Sequence, residues 1–285
     1  MTITSQRITT NGIQLDVHQA GPEDGELVIL LHGFPEHGLA WQKQIEFLAA
    51  QGYRVWAPDQ RGYAGSDKPK GIKQYHLDEL GKDILGLIDA SRVAQASIVG
   101  HDWGGAVCWW LGCNYPERLK RIAVLNVPHN DAFTKRVFTT PKQLAKSWYM
   151  LFFAIPKLPE WLLSQNNYRR MRGTLLGSSA TGTFSKETLQ AYIDNWSQVG
   201  SLSAMLNWYR SAVLSPPKPR LKKVPVPTTI LWGRQDSFLQ EELAQLSGEY
   251  CEQLSAIHYL DDTGHWLAHE KPKQVNEILC EFLAS

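Results

Sequence analysis

Short runs of apolar and β-branched residues recur along the first half of the chain, separated by longer polar-apolar stretches. Residues 27–31 (LVILL), 54–57 (RVWA), 97–99 (SIV) and 122–125 (IAVL) read as strands. Runs with so few polar positions suit strands covered on both faces, as in a parallel sheet. Residues 14–18 follow an Asn11-Gly12 turn signal and pair naturally with 7–10 as an antiparallel start. The spacers between the later strands are long enough for crossover helices, which gives an α/β class.

From about residue 131 to 218 the strand-like runs vanish and helical periods take over. Leu202, Met205, Leu206, Tyr209 and Val213 fall on one stripe of a helix. Residues 142–155 are apolar almost all round and stop at Pro156, so a helix buried on two sides is expected there. Ser185 is a helix N-cap, with Glu187 in the first turn. A proline-rich connector, SPPKPRLKKVPVP (215–227), closes this stretch. Strands resume at 228–232 and 256–260, and a last helix covers 272–283. The division is therefore a core of residues 1–130 and 219–285, with 131–218 inserted as an all-helical cap. Neither internal repeats nor low-complexity segments are evident.

Charge sharpens this division. The 285 residues carry 29 Lys plus Arg against 28 Asp plus Glu, for +1 overall. No basic excess suggests a nucleic-acid partner. Yet residues 131–218 hold 11 basic and 4 acidic side chains, while the remainder holds 18 and 24. The cap also takes 13 of the 30 aromatic residues. Its basic charge solvates exposed faces, helps seat the cap, or favours apolar substrates bearing a distant anion. Cys108, Cys113, Cys251 and Cys280 form no C-x-x-C pair and are expected to be reduced and mostly buried. No apolar run approaches the ~18 residues of a membrane span, and the first residues do not read as a signal peptide. A soluble, cytoplasmic protein is expected.

The chemistry concentrates at the strand ends. After residues 97–99 comes Gly100-His101-Asp102-Trp103-Gly104, then an apolar helical run. This is a G-x-nucleophile-x-G elbow with a carboxylate in the nucleophile position. Asp236 follows the strand at 228–232, and His265 follows the strand at 256–260. That is the order nucleophile, acid, base. His32-Gly33-Phe34-Pro35-Glu36 follows the strand at 27–31, where the second oxyanion-hole amide belongs. Blander roles exist: Asp102 as a helix cap, Asp236 as a turn cap, Tyr209 as a core aromatic. The competing acid position after residues 122–125 holds Asn126, a neutral amide, which favours Asp236. His265 and His269 stand four apart, but without H-E-x-x-H or a third ligand no metal site is expected.

Taken together, HGFPE (32–36), DQRGYAGSDKP (59–69), GHDWGG (100–105), WGRQD (232–236) and GHW (264–266) resemble the α/β-hydrolase superfamily, and within it the soluble epoxide hydrolases. Tyr149 in SWYMLFF and Tyr209 in NWYR match the two cap tyrosines of that family. The resemblance implies an α/β-hydrolase fold, a mostly parallel sheet flanked by helices under a helical cap. It implies attack by Asp102 on an epoxide, with Tyr149 and Tyr209 donating to the epoxide oxygen. It further implies that His265, oriented by Asp236, activates water, and that the amides of Phe34 and Trp103 stabilise the oxyanion. Phe34, Trp103, Tyr149 and Tyr209 would also bind the substrate, a small apolar epoxide, without metal or cofactor. A carboxylate suits this chemistry because it leaves an ester, which water can cleave, whereas a serine alkoxide would leave an ether. A haloalkane dehalogenase is the nearest rival, though Phe34 offers no side-chain donor for a halide. A ligand receptor on the same fold is another, but it would not need Asp102, Asp236 and His265 together. Monomer and homodimer are equally open.

Overall fold

A computed structural model describes residues 2–216 and 218–285. The strands are β1 (Thr4–Thr10), β2 (Ile13–Ala20), β3 (Leu27–Leu31), β4 (Arg54–Pro58), β5 (Ala96–His101), β6 (Leu119–Leu125), β7 (Thr228–Gly233) and β8 (Leu254–Leu260). They form one sheet in the order β1-β2-β4-β3-β5-β6-β7-β8. β1 pairs antiparallel with β2, and β2 with β4; every other pairing is parallel. All eight sequence-predicted strands are present, most of them one to three residues longer than their apolar kernels. The fold is an α/β-hydrolase fold.

Alternation within the strands assigns the two faces. Leu27, Ile29 and Leu31 of β3 join one core cluster, while Val28 and Leu30 join the other. Ile98 and Val99 of β5 split in the same way. The helices α1 (Gln42–Ala50), α2 (Leu77–Ala90) and α3 (Trp103–Asn114) follow β3, β4 and β5. In α2 the buried stripe Leu77, Leu80, Ile84, Leu87 and Ile88 faces the sheet, and the His76 side chain caps the Asp78 amide. α3 is buried from Gly104 to Cys113, so it is apolar all round.

Among the described residues, the elements between β6 and β7 are helices: α4 (Asn130–Thr139), α5 (Pro141–Lys146), α6 (Trp148–Ala154), α7 (Leu158–Gly177), α8 (Lys186–Trp196) and α9 (Ser201–Leu214). α9 buries Leu202, Met205, Leu206 and Tyr209, and Ser185 caps α8 through the Thr188 amide. The long apolar helix expected at 142–155 is instead two short ones, broken at Ser147. It is not buried on two sides, since Leu144, Trp148, Leu151 and Ile155 face outward. α7 bends at residues 165–168, where the backbone leaves helical geometry. The connector at 215–227 has no regular element apart from a bridge of Val224 to Cys251, and its Pro217 lies outside the described residues. α10 (Glu242–Gly248), α11 (Leu267–Glu270) and α12 (Pro272–Ala284) complete the chain. The four cysteines are free; three are buried, and Cys280 is half-buried.

One buried ion pair fixes the loop after β4. Arg61, 1% exposed, grips Asp83 of α2 through Nε (2.7 Å) and Nη2 (2.6 Å). Removing one partner leaves a buried charge uncompensated, which costs about 3–5 kcal/mol. Asp83→Ala should therefore lower the urea-unfolding midpoint by an amount equivalent to that loss, whereas an unchanged midpoint would contradict it.

Candidate active site

In a sheet of this topology ligands bind beyond the carboxyl ends of the strands, where the strand order reverses. Here β3 is followed by β4 on one side and by β5 on the other, and Phe34 and Asp102 stand just past β3 and β5. Asp102 has φ 48° and ψ −122°, a sparsely populated conformation that aims its carboxylate away from the sheet. The turn is held by close backbone approach. A Cβ on Gly104 would lie 2.1 Å from the Leu31 carbonyl oxygen, and one on Gly33 would lie 2.4 Å from Asp102 Cβ. Neither neighbour can move aside, so glycine is required at both places.

The carboxylate is differentiated at its two oxygens. The Phe34 amide donates to Asp102 Oδ1 at 2.9 Å, and His265 Nε2 lies 3.6 Å from Oδ2. On its other side His265 Nδ1 lies 2.7 Å from Asp236 Oδ2. Asp236 is fully engaged: the Phe238 and Leu239 amides donate to Oδ1 (2.6 and 2.9 Å), and Asn126 Nδ2 donates to Oδ2 (2.7 Å). Asn126 also donates to the Gly264 carbonyl and accepts from the Gly233 amide. The amide that displaced an acid after β6 therefore buttresses the acid after β7.

Electrostatics follow from this packing. Burial opposes charge on all three groups, but the pairing outweighs it. Burial would lower the His265 pKa; the Asp236 charge, with the Asp102 carboxylate, instead raises it to about 10. Burial would raise both acids, yet His265 holds Asp102 and Asp236 below the usual carboxylate range. Tyr149 and Tyr209 close the site from α6 and α9, with ring centroids 6.0 Å apart. Burial, then the Asp102 charge, pushes both phenols above their ordinary pKa, so each is a protonated donor. Trp103 meets the Tyr209 ring edge-on at 5.0 Å, and Phe34 does so at 5.3 Å.

These groups border a cavity of about 410 Å³ that takes in Phe34, Asp102, Tyr149, Tyr209, Phe238 and His265. Its remaining wall is mostly apolar, from Phe152, Phe153, Leu163, Met171, Leu175 and Trp266. Lys146, Arg170 and Thr174 also line it. Phe34, Asp102, Tyr149, Tyr209 and His265 thus line one space, while Asp236 lies behind His265 and Trp103 packs on the Tyr209 ring.

A second buried network went unread in the sequence. Glu36 Oε1 accepts from the Tyr192 hydroxyl (2.8 Å) and pairs with His269 Nε2 (2.6 Å). Its Oε2 lies 3.3 Å from His101 Nδ1, and His101 Nε2 donates to the His265 carbonyl at 2.8 Å. His269 thus faces Glu36 and does not converge with His265 on a metal. The Glu36-to-His269 contact spans 233 residues, so no local spacing could announce it. Among the described residues, only His18, His37 and Asp59 are spaced to hold a metal ion. Asp59 is already engaged there by the Gly38 and Gly65 amides and by His18, so hydrogen bonding accounts for the cluster.

Comparison with known proteins agrees with this geometry. Residues 26–272 match the α/β hydrolase fold family. The chain is 41% identical to an AB hydrolase superfamily protein of Bacillus subtilis (strain 168), over 99% of this chain and 98% of that one. It is 35% identical to epoxide hydrolase 4 of Mus musculus, over 97% of this chain and 78% of the relative. Bacillus megaterium epoxide hydrolase, crystallised in complex with an inhibitor, superposes with a TM-score of 0.89 at 29% identity. That match covers 98% of this chain and 100% of the other.

The electrostatic account has a direct check. The imidazole of His265 should titrate by NMR near pH 10 in the wild type, and at distinctly lower pH in Asp236→Asn. The folded value lies above the ordinary 6.5, so the ion pair stabilises fully below pH 6.5 and fades as pH climbs through about 10. The thermal-stability advantage of wild type over Asp236→Asn should shrink across that interval.

Proposed function

The chain belongs to the α/β-hydrolase fold family and is an epoxide hydrolase, and on that premise we propose a two-step mechanism through a covalent ester on Asp102. The observation that carries it is the juxtaposition of one ionised carboxylate with two protonated phenols across a single apolar cavity. Residues 131–218 act as the cap over a core of residues 1–130 and 219–285, and the substrate is a small apolar epoxide.

In the first step Asp102 Oδ2, the oxygen not held by the Phe34 amide, attacks an epoxide carbon. The carbon–oxygen bond breaks, and Tyr149 or Tyr209 gives its proton to the departing oxygen. The negative charge has then passed from Asp102 through the ring oxygen to the tyrosine oxygen. That relocation resets the neighbours. While Asp102 is an anion it helps keep His265 protonated; as an ester it no longer does, and the His265 proton becomes easier to lose. In the second step neutral His265 takes a proton from water, and the hydroxide adds to the ester carbonyl. The resulting oxyanion develops at Oδ1, where the Phe34 amide already stands, with the Trp103 amide at the start of α3 as its second donor. Collapse breaks the bond between the Asp102 carboxyl carbon and the alkyl oxygen, which takes the proton from His265. The diol leaves with that Asp102 oxygen, and a water-derived oxygen stays on Asp102. The tyrosinate recovers its proton from the one that resting His265 gave up. The same nucleophile would serve haloalkanes, but two phenols facing the cavity suit a developing alkoxide better than a halide.

Single turnover in H₂¹⁸O with enzyme in excess should give diol containing unlabelled oxygen from Asp102; immediate solvent label would exclude the ester. His265→Gln should stall after the first step, leaving an adduct visible by intact mass, and normal turnover would remove His265 from the mechanism. Tyr149→Phe combined with Tyr209→Phe should slow ring opening by at least about a hundredfold, the low end of general-acid contributions. Undiminished rates in that double variant would reassign the cap tyrosines.

A further inference from the structure

The outer side of the cap differs from the rest of the surface. Among the described residues eleven large apolar side chains are exposed, and seven of them fall between residues 144 and 176: Leu144, Trp148, Leu151, Ile155, Leu158, Trp161 and Leu176. Trp148 is 63% exposed, and Trp161 60%. On α6 the two sides differ, with Trp148 at the border, exposed and also reaching the cavity rim. Trp148, Leu151 and the following Ile155 recur at i, i+3 and i+7 on the outside, while Tyr149 and Phe153 point toward the cavity. Leaving tryptophan and leucine in water carries a cost that a covered face would avoid.

Charge identifies what would cover it. Residues 135–176 carry eight basic side chains, of which Arg136 pairs with Glu242 and Lys146 donates to the Asp236 carbonyl. They carry a single acid, Glu160. That acid is taken by a bidentate pair with Arg210 at 2.7 and 2.9 Å. Lys157 and Arg169 are exposed between and beside the apolar positions. A two-fold dimer through this face would set the same basic surface against itself, which like charges oppose. Exposed tryptophans among leucines and basic residues suit instead the headgroup region of a negatively charged bilayer. No helix of the described residues is long and apolar enough to cross a membrane, so the contact would be superficial.

We infer that the outer face of α5, α6 and the first half of α7, with Arg169 beyond the bend, is a docking surface for an anionic phospholipid bilayer. The cavity adjoins that face, because Lys146, Trp148, Phe152 and Arg170 line it. Docking would place the cavity mouth where apolar molecules concentrate. The inference does not depend on the ester mechanism, since its test reads partitioning and not turnover.

The test is co-sedimentation of the full chain with extruded vesicles of phosphatidylcholine, alone or with about 30 mol% phosphatidylglycerol, the anionic lipid supplying the surface potential. The protein should partition onto the anionic vesicles at low salt at least about tenfold more than onto neutral ones. Raising salt to ~1 M, where the Debye length is ~3 Å, should release it. Leu151→Ser with Trp161→Ser, and separately Lys157→Gln with Arg169→Gln, should each weaken partitioning by about tenfold. These positions lie outside the catalytic set, so thermal melts and hydrolysis of a water-soluble epoxide should be unchanged. Equal partitioning onto both vesicle types, or none onto either, overturns the inference. So does a wild-type dimer that Leu151→Ser with Trp161→Ser makes monomeric without any vesicle binding, which would make the face an interface between copies.

Discussion

Three carboxylates meet at the site, Asp236 and Glu36 buried and Asp102 at the cavity wall, and the architecture answers to keeping them charged. Each is held by fixed donors and by histidine. His265 stands between Asp102 and Asp236, and His101 and His269 stand against Glu36. His101 joins the two groups by donating to the His265 backbone. A buried ion is tolerable only when its lone pairs are met, and the amides of Phe34, Phe238 and Leu239 supply that without bringing further charge. The same arrangement makes the site responsive. With one cation shared by two anions, any change in the charge of one anion alters the proton affinity of what remains, and the proposed esterification of Asp102 would be such a change.

The fold supplies these groups from the carboxyl ends of adjacent strands. Phe34 follows β3, Asp102 follows β5, Asn126 follows β6, Asp236 follows β7 and His265 follows β8. Parallel pairing sets those ends side by side, so residues more than two hundred positions apart converge without any long excursion of the chain. The tyrosines come from elsewhere, from two cap helices, and are aligned by aromatic contacts. Phe153 meets Tyr209 at 5.0 Å and Tyr149 at 5.7 Å, between the two. Asp102, Asp236 and His265 thus stand at strand ends, while the two phenols come from the helices between β6 and β7.

The strands were legible because continuous burial leaves a continuous apolar run, and the elbow because a nucleophile between strand and helix needs glycines at fixed offsets. The order Asp102, Asp236, His265 was readable for the same reason, each residue following a recognisable strand. What escaped was non-local or depended on what lies opposite. Glu36 sits in a quoted motif, but its partners Tyr192 and His269 are remote in sequence. Residues 142–155 look buried from their composition, yet periodicity cannot say whether protein or something else covers a helix face. The break at Ser147 carries no proline or glycine to announce it.

α6 is seven residues long and bears Trp148 on its outer surface immediately before Tyr149 on its inner one. The tryptophan outside and the phenol at the cavity are consecutive residues, so no second layer of protein separates them. At this point the protein's exterior and its cavity are the two sides of one helix of roughly two turns.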